Sequence, residues 1–359
     1  MCFKNKKNIA ERINGVKSVS KTKFIVILIL SIIGAALIGG GVWIARFMHR
    51  VENPWPSQAP KTFDVKTQDP NVTNDPNVTP GPTPTPRGDG EDIVWGKDVI
   101  NILFIGYDKD SSREDTWSVF RTDTLILLTV YYNENRVVMT SIPRDSYVPI
   151  ADTFSYKDKI NSVPYHAQRQ KIDVYGAICS TVCRLFGGVP VDYYMAIDMD
   201  LFSEVIDLIG GVEYDVDVDV IYDGKVHIAK GKQVLSGAKA LEYVRFRDTR
   251  LGDIDRVNRQ RRFLTATFSQ LKSLDNITKL PEIYSAVMNK LNTNLTYAQV
   301  VNLLSFAAGK LQPDAISGAT FPGEFLNKNG ISYWGIKQND RVHYIYDMFG
   351  ITVLPDPQD

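Results

Sequence analysis

The chain has 359 residues, of which 44% are hydrophobic, 11% aromatic and 23% charged, so it is too apolar to be disordered throughout and long enough for one large domain with appendages, or for two smaller domains. The formal net charge is zero, but residues 1–50 contain nine Lys or Arg and one Glu, which leaves 32 basic and 40 acidic side chains in the remainder. This balance argues against a nucleic-acid-binding protein, because phosphate neutralisation requires an excess of basic side chains.

The N-terminal part of the chain has the pattern of a membrane anchor. Residues 24–44 contain no charged side chain, and a helix of 21 residues is about 32 Å long, close to the hydrocarbon thickness of a bilayer. A cleaved signal peptide is the alternative, although the run is long for one and no A-x-A-like site follows it. Seven basic side chains precede the run, so the positive-inside rule predicts a basic cytoplasmic tail over residues 1–23 and an extracellular remainder. The predicted localisation is therefore the cell membrane, with a single pass.

A proline-rich segment follows this anchor. Nine prolines and a repeated Asp-Pro-Asn-Val-Thr occur between residues 51 and 92. Proline restricts φ and lacks a backbone N–H, so such a segment is extended, at about 3.1 Å per residue. We predict a Pro-rich extracellular linker over residues 45–92 and one folded domain over residues 93–359.

Two of the three cysteines lie close together in this domain. Cys179 and Cys183 are four residues apart in a helix-like stretch, residues 174–186, so they share one helix face. They form either a buried apolar pair or a strained local disulfide. No His or third Cys is nearby in sequence, so neither a metal cluster nor a thiol nucleophile is indicated.

Three apolar runs near the start of the domain predict β-strands, over residues 99–105, 124–131 and 136–142. Residues 132–135 have a turn-like sequence, which makes the second and third strands antiparallel neighbours. If the first strand also pairs with the second, its end lies beside the start of the second strand and the end of the third.

Charged side chains concentrate at that predicted edge, and they are Asp108, Arg121, Asp123, Arg144 and Asp145. Ligand sites of α/β proteins are common at such an edge. The alternative is that these charges only solvate the loops between strands.

Two more arginines occur in residues 241–247, whose alternating pattern predicts a strand with Tyr243, Arg245 and Arg247 on one face. Guanidinium groups about 7 Å apart would suit the two phosphates of a pyrophosphate. A strand stabilised by ion pairs is the alternative.

A helix is predicted next, beginning in residues 252–262. Asp253, Arg256 and Gln260 are spaced i, i+3 and i+7, so they lie along one stripe of it. Asp253 is near the N-terminus of this helix, where capping is the ordinary role of an aspartate.

Several catalytic classes lack support. The four His residues show no metal-ligand spacing, and the chain has neither a G-x-S-x-G motif nor a Walker A loop. Clustered arginines with paired aspartates instead suit phosphoryl transfer, in which the protein neutralises charge and carboxylates bind a divalent ion.

Seven segments together resemble a known family, and they are residues 101–108, 121–124, 141–145, 159–161, 207–212, 240–247 and 252–260. In this order they are similar to the LytR-CpsA-Psr proteins of bacterial cell envelopes. The resemblance implies an α/β fold with a central mixed β-sheet flanked by helices. It also implies an enzyme that moves a glycopolymer, such as teichoic acid or a capsular or secondary wall polysaccharide, from an undecaprenyl-pyrophosphate carrier to peptidoglycan.

The same resemblance implies roles for single residues. Asp108 and Asp123 match aspartates that bind Mg²⁺, for which Mn²⁺ is a substitute. The residues matched to pyrophosphate contacts are Arg121, Arg144, Lys159, Arg245, Arg247, Arg256 and Gln260. The predicted catalytic residues are Arg121, Asp108, Arg245, Arg247 and Asp253, and the general base is unassigned.

Other function classes stay open. A non-enzymatic sensor or attenuator at the cell envelope would bind polyprenyl phosphates without releasing product, and an adhesin would bind wall glycans without the arginines. If the protein is an enzyme, a pyrophosphatase side activity is a further alternative. The predicted partners are the undecaprenyl-pyrophosphate-linked glycan, peptidoglycan and the membrane, with no nucleic acid.

Overall fold

The computed structural model describes residues 98–107, 121–150, 157–247, 253–271, 281, 283–312 and 315–356. No helix in these ranges is long and apolar enough to cross a membrane. The predicted tail, membrane helix and linker lie outside the described residues, as does Asp108. The predicted division into domains therefore stays a prediction.

The described strands are β1 (Val99–Tyr107), β2 (Thr122–Tyr131), β3 (Arg136–Ser141), β4 (Ser146–Pro149), β5 (Lys157–Lys159), β6 (Tyr193–Ile197), β7 (Val212–Val216), β8 (Val220–Tyr222), β9 (Lys225–Ile228), β10 (Gly231–Leu235), β11 (Asn292–Thr293), β12 (Ile316–Thr320), β13 (Gly323–Lys328) and β14 (Ile331–Ile336). The α-helices referred to below are α1 (Val163–Gln170), α2 (Val174–Leu185), α3 (Met199–Leu208), α4 (Gly237–Arg245), α5 (Asp253–Leu271), α6 (Tyr297–Gly309) and α7 (Gln338–Phe349).

A mixed six-stranded sheet lies at the centre, in the order β11-β6-β1-β2-β3-β12. β2 is antiparallel to both β1 and β3, whereas β6 is parallel to β1 and β12 is parallel to β3. The predicted central mixed sheet is thus confirmed, and so are the three predicted strands and their antiparallel pairing. β2 begins two residues earlier than predicted, so Asp123 belongs to the strand itself.

The central sheet is covered on both faces. On one face, Leu103 and Ile105 of β1 pack in a core cluster that also contains Ile178 of α2 and Phe349 of α7. On the other face, Ile102 packs in a cluster with residues of α6. The continuous apolar run of β1 fits this position, because a strand buried on both faces has no polar side.

A smaller unit built from β7, β10, α4 and α5 encloses a second core around Tyr243 and Phe263. Tyr243 is fully buried and its hydroxyl donates to Asp217 Oδ1 at 2.8 Å. Burial, together with hydrogen bonds to Tyr214 and Asp217, raises the pKa of Tyr243 above its ordinary value.

The predicted strand over residues 241–247 is wrong, because the chain is helical up to Arg245. The buried residues Gly237, Ala240 and Val244 recur at helical spacing and face the core of this unit. The backbone N–H of Gly237 is capped by Asp207 Oδ1 of α3 at 2.7 Å. Tyr243 therefore points into the core and does not share a face with the two arginines.

The helix predicted around the cysteines is confirmed as α2. Cys179 and Cys183 are both free thiols and partly buried, so the disulfide interpretation is wrong. Cys179 packs against the main core, and burial raises its pKa to about 12.

Candidate functional site

A cavity of about 670 Å³ lies where β1 ends and β2 begins. It is lined by both strands and by α3, α4 and α5 together with the residues that follow α4. This is the edge of the sheet at which the strand pattern predicts a cluster of charged residues.

One part of the lining is strongly polar, and its charged and amide side chains are Asp123, Arg144, Asp198, Arg245, Arg247, Arg256 and Gln260. Six of these seven are predicted site residues that come from three distant parts of the chain. Their placement brings four guanidinium groups and one predicted metal ligand to one cavity. The roles assigned to them by the resemblance stay predictions.

Asp123 and Arg144 form an ion pair inside the cavity. Asp123 Oδ1 accepts from Arg144 Nη1 at 2.5 Å, and both side chains are about three-quarters buried. Arg144 Nε also lies 3.7 Å from Asp145 Oδ2, and Asp145 Oδ1 is 2.9 Å from Lys159 Nζ. These contacts form a chain of alternating charges that leads from the cavity to strand β5.

Two predicted site residues, Arg121 and Lys159, are not in this lining. Lys159 is bound to Asp145 outside it, and Arg121 is exposed immediately before β2. Asp253 is the first residue of α5, at the helix start that its spacing predicts.

The end of α4 orients two of the cavity arginines. The helix stops at Arg245 and Phe246 adopts an extended backbone, with φ of −61° and ψ of 137°. This change of direction allows both Arg245 and Arg247, which flank Phe246, to line the cavity.

Arg259 of α5 fixes this turn of the backbone. Its side chain is only 2% exposed, and Nη1 donates to the Phe246 carbonyl at 2.7 Å. Its guanidinium carbon lies 5.4 Å from the ring centre of Tyr243 and 5.7 Å from that of Phe246. One residue further along the helix, Gln260 Nε2 donates to the Val244 carbonyl at 3.3 Å.

Arg256 lies one turn before Gln260 on α5 and is 3% exposed at the cavity wall. A guanidinium group cannot lose its charge at physiological pH, and its planar donors match phosphate geometry. The polar part of the cavity is therefore suited to an anion with several oxygen atoms.

The rest of the lining is mostly apolar, and it includes Phe104, Ile126, Ile197, Met199, Phe202, Val244, Phe263 and Leu264. A single cavity thus combines an arginine-rich region with a hydrocarbon-like wall. Such a lining fits an amphiphile whose anionic head group is joined to an apolar chain.

The carboxylates that line the cavity are the candidate ligands of the predicted Mg²⁺. Asp198 accepts from the Leu201 N–H at 2.7 Å as the N-cap of α3, and Asp123 binds Arg144 through one oxygen. Among the described residues, no group of three or more His, Cys, Asp or Glu is arranged to hold a metal. These donors fit Mg²⁺ in its usual mode, with one or two carboxylates and the remaining positions filled by water and substrate phosphate oxygens. Asp108, the second predicted ligand, lies outside the described residues.

Sequence reasoning missed three residues at or beside this site, Asp198, Tyr222 and Arg259. Asp198 and Tyr222 line the cavity, but in the sequence they look like a helix cap and an ordinary strand residue. Arg259 lies within a segment that carried the family resemblance, and its helical spacing of three from Arg256 was the available signal.

Comparisons with known proteins agree with this architecture. The profile of the LytR_cpsA_psr family matches residues 71–348. A Bacillus subtilis relative, named polyisoprenyl-teichoic acid–peptidoglycan teichoic acid transferase TagU, is 28% identical over 317 residues, which cover 88% of this chain and 91% of the relative. A Bacillus cereus protein of the same name is 30% identical over 285 residues, which cover 78% and 82% of the two chains. The crystal structure of B. subtilis TagV superposes with a TM-score of 0.59 and 27% identity, covering 71% of this chain and 99% of that one. The chain therefore belongs to the LytR-CpsA-Psr family.

Proposed function

We propose that this protein is a glycopolymer–peptidoglycan phosphotransferase that transfers a polyprenyl-pyrophosphate-linked polymer of the teichoic acid class to peptidoglycan. The observation that carries the proposal is the amphipathic cavity, in which four arginines face a wall of apolar side chains. The names of the Bacillus relatives, which are teichoic acid transferases, support the same substrate class.

In this proposal the pyrophosphate of the lipid carrier binds in the polar region, and its prenyl chain contacts the apolar wall. Arg245, Arg247 and Arg256 provide permanent positive charge and several N–H donors for the phosphate oxygens. Arg256 is only 3% exposed, and the low local dielectric strengthens its interactions with an anion, whereas Arg245 and Arg247 are exposed at the cavity.

The reaction is a displacement at phosphorus. A peptidoglycan hydroxyl attacks the phosphorus next to the sugar, so that a new P–O bond forms and the bond to undecaprenyl phosphate breaks. The hydroxyl releases its proton to solvent, and the leaving group departs with the P–O bonding electrons as a phosphate monoester. Negative charge grows on that leaving phosphate, and the cavity arginines are positioned to stabilise it.

Asp123, with Asp108, would hold the divalent cation, Mg²⁺ or Mn²⁺. When bound, the ion neutralises charge on the phosphate oxygens. Arg144 binds one oxygen of Asp123 and so fixes the orientation of that carboxylate.

We also propose that the domain works outside the cell on a single membrane anchor. The support is the uncharged run of residues 24–44 and the basic residues before it. A membrane anchor keeps the domain close to its lipid-linked substrate, whose apolar prenyl chain partitions into the bilayer until it binds in the cavity.

The test is a transfer assay with the full chain in detergent, a lipid-linked glycan pyrophosphate and peptidoglycan. We expect covalent glycan attachment and release of polyprenyl phosphate with Mg²⁺, and neither after chelation. Arg245→Gln should reduce transfer about 100-fold or more, as expected for loss of one charge-stabilising donor. The control Arg169→Gln should not change transfer, since Arg169 is exposed on α1 and does not line the cavity.

Two outcomes would contradict the proposal. If Arg245→Gln transfers the glycan at an unchanged rate, the arginine cluster does not take part in the reaction. Tight binding of the lipid pyrophosphate without any released polyprenyl phosphate would instead favour the sensor or attenuator.

A further inference from the structure

Outside the cavity, one face of a second sheet combines tyrosine and lysine side chains. This sheet has the order β13-β14-β4-β5. Its inner side is covered at β4 and β14, since Val148 is 1% exposed and Trp334 Nε1 donates to the Phe321 carbonyl at 3.2 Å. Side chains alternate between the two faces of a strand, so the neighbours of these residues point to the outer side.

The strand registers define which residues share that outer face. Tyr147 of β4 is paired with Gly335 on one side and with Lys159 on the other. Because Tyr333 is two residues from Gly335, it shares the face with Tyr147, and the two rings lie 4.8 Å apart between centres. Lys328 of β13 also belongs to this face through its pairing with Ile331. We call this surface the tyrosine–lysine face, defined by Tyr147, Lys159, Lys328 and Tyr333.

A lysine ammonium group lies over each tyrosine ring on this face. Lys159 Nζ lies 5.3 Å from the ring centre of Tyr333, and Lys328 Nζ lies 4.7 Å from that of Tyr147. The negative face of an aromatic ring attracts a cation. The two rings therefore hold the ammonium groups of Lys159 and Lys328 in place on this face.

The outer side of these strands is cationic. Among the described strand residues it carries Lys157, Lys159 and Lys328 against Glu324, and Glu324 lies 3.2 Å from Lys337. The remaining acidic residue of β5, Asp158, instead binds Ser162 and His166. Even with Asp145 bound to Lys159, these described residues have an excess of positive charge, which complements an anionic ligand.

The tyrosine–lysine face is continuous with the cavity. Lys159 is bound to Asp145 at 2.9 Å, and Asp145 approaches Arg144, which lines the cavity. A polymer attached to a pyrophosphate in the cavity must extend out of the cavity. The ion pairs from Arg144 to Lys159 connect the cavity to the tyrosine–lysine face along one such direction.

We propose that the tyrosine–lysine face binds the phosphate-bearing repeat units of the glycopolymer that is being transferred, which rests on the proposed function of the cavity. The lysines contact the phosphodiesters, and the tyrosine rings position the lysine ammonium groups for this contact. The occupant is the donor polymer rather than the peptidoglycan acceptor, because a phosphate in every repeat unit complements the positive charge of the lysines. This face would give the enzyme a preference for long anionic polymers.

A binding experiment tests this independently of catalysis. The probe is soluble poly(glycerol phosphate) without a lipid carrier, added to the full chain and followed by calorimetry. We expect binding that weakens as NaCl is raised from about 50 to 500 mM, because exposed charges are screened. Lys328→Gln should weaken it about 3- to 10-fold, and Tyr333→Ala should do the same through loss of the ring. The matched control is Lys232→Gln, an exposed lysine on β10 of a different sheet.

Transfer kinetics provide the second readout. With a lipid-linked substrate that carries a single repeat unit, Lys328→Gln should transfer like the unmodified protein. With a long phosphate-bearing polymer, it should have a raised KM and an unchanged kcat.

The outcomes separate this proposal from the proposed function. Equal polymer binding by Lys328→Gln, Tyr333→Ala and Lys232→Gln would overturn it. It would also be overturned if Lys328→Gln and Tyr333→Ala weaken binding to peptidoglycan but leave binding to poly(glycerol phosphate) unchanged. If the protein shows no transfer at all, the proposed function fails, and the soluble-polymer titration still decides what the tyrosine–lysine face binds.

Discussion

Arg259 is the residue whose replacement most sharply tests how the cavity arginines are positioned. It does not line the cavity, yet its guanidinium donates to the Phe246 carbonyl between Arg245 and Arg247. In Arg259→Met the side chain keeps much of its apolar length and loses the donor and the charge. We expect the segment after α4 to shift, so that the two flanking arginines no longer face the substrate together.

The size of the effect follows from the contacts. A hydrogen bond from a charged group contributes about 1.5–3 kcal/mol, and the two ring contacts add about 1 kcal/mol or more. Removing a buried charge also removes its desolvation cost, so the net loss of stability is about 2–4 kcal/mol. For a domain of this size, the melting temperature should fall by about 5–12 °C.

The assay compares transfer and stability at a temperature where both proteins are folded. We expect Arg259→Met to lower kcat/KM for the lipid-linked donor more than 10-fold while its circular dichroism spectrum is unchanged. Arg259→Lys, which keeps one donor and the charge, should recover part of the stability but less of the transfer, because it lacks the planar fork. Arg169→Met on the exposed side of α1 is the matched control.

The reasoning would be refuted by a specific pattern. If Arg259→Met melts several degrees lower but transfers the glycan with unchanged kinetic constants, then Arg259 only stabilises the fold. Positioning of Arg245 and Arg247 would in that case depend on other contacts of the α4 terminus.

Two further predictions concern stability. Arg341 is 2% exposed and donates to the carbonyls of Leu185 at 2.7 Å and Leu354 at 3.1 Å, which joins the end of α2 to the C-terminal segment. Arg341→Met should cost about 2–4 kcal/mol because both acceptors lose a charged donor, and a melting temperature no lower than that of an exposed-arginine variant would contradict this. For Asp158, burial raises the pKa, but hydrogen bonds from His166, Ser162 and a backbone N–H outweigh it and lower the pKa below 3.8. Its stabilising contribution is therefore present above that pH and is lost as pH falls through the folded-state pKa. Asp158→Asn should lower the urea midpoint more at about pH 7 than at about pH 3, and equal differences at the two pH values would disprove the linkage.

Local patterns were enough to predict much of the sheet. The continuous apolar run of β1 predicts a strand buried on both faces, and the turn after β2 predicts its antiparallel partner. Both signals depend only on neighbouring residues, through side-chain alternation and turn chemistry. Asp123 and Arg144 could be placed at one edge for the same reason, since strand ends that pair are close in space.

Tertiary structure decided the rest. Residues 241–247 alternate over a window too short to separate strand from helix, and packing of Tyr243 against the second core selects the helix. The position of Lys159 beside Asp145, outside the cavity, depends on the register of β4 and β5. The contact of Arg259 with Phe246 likewise joins two helices. The sequence alone thus determined which groups could bind a phosphate and along which edge several of them gather. Only long-range packing determined which guanidinium groups face the cavity, because a side chain's direction depends on contacts with residues distant in the chain.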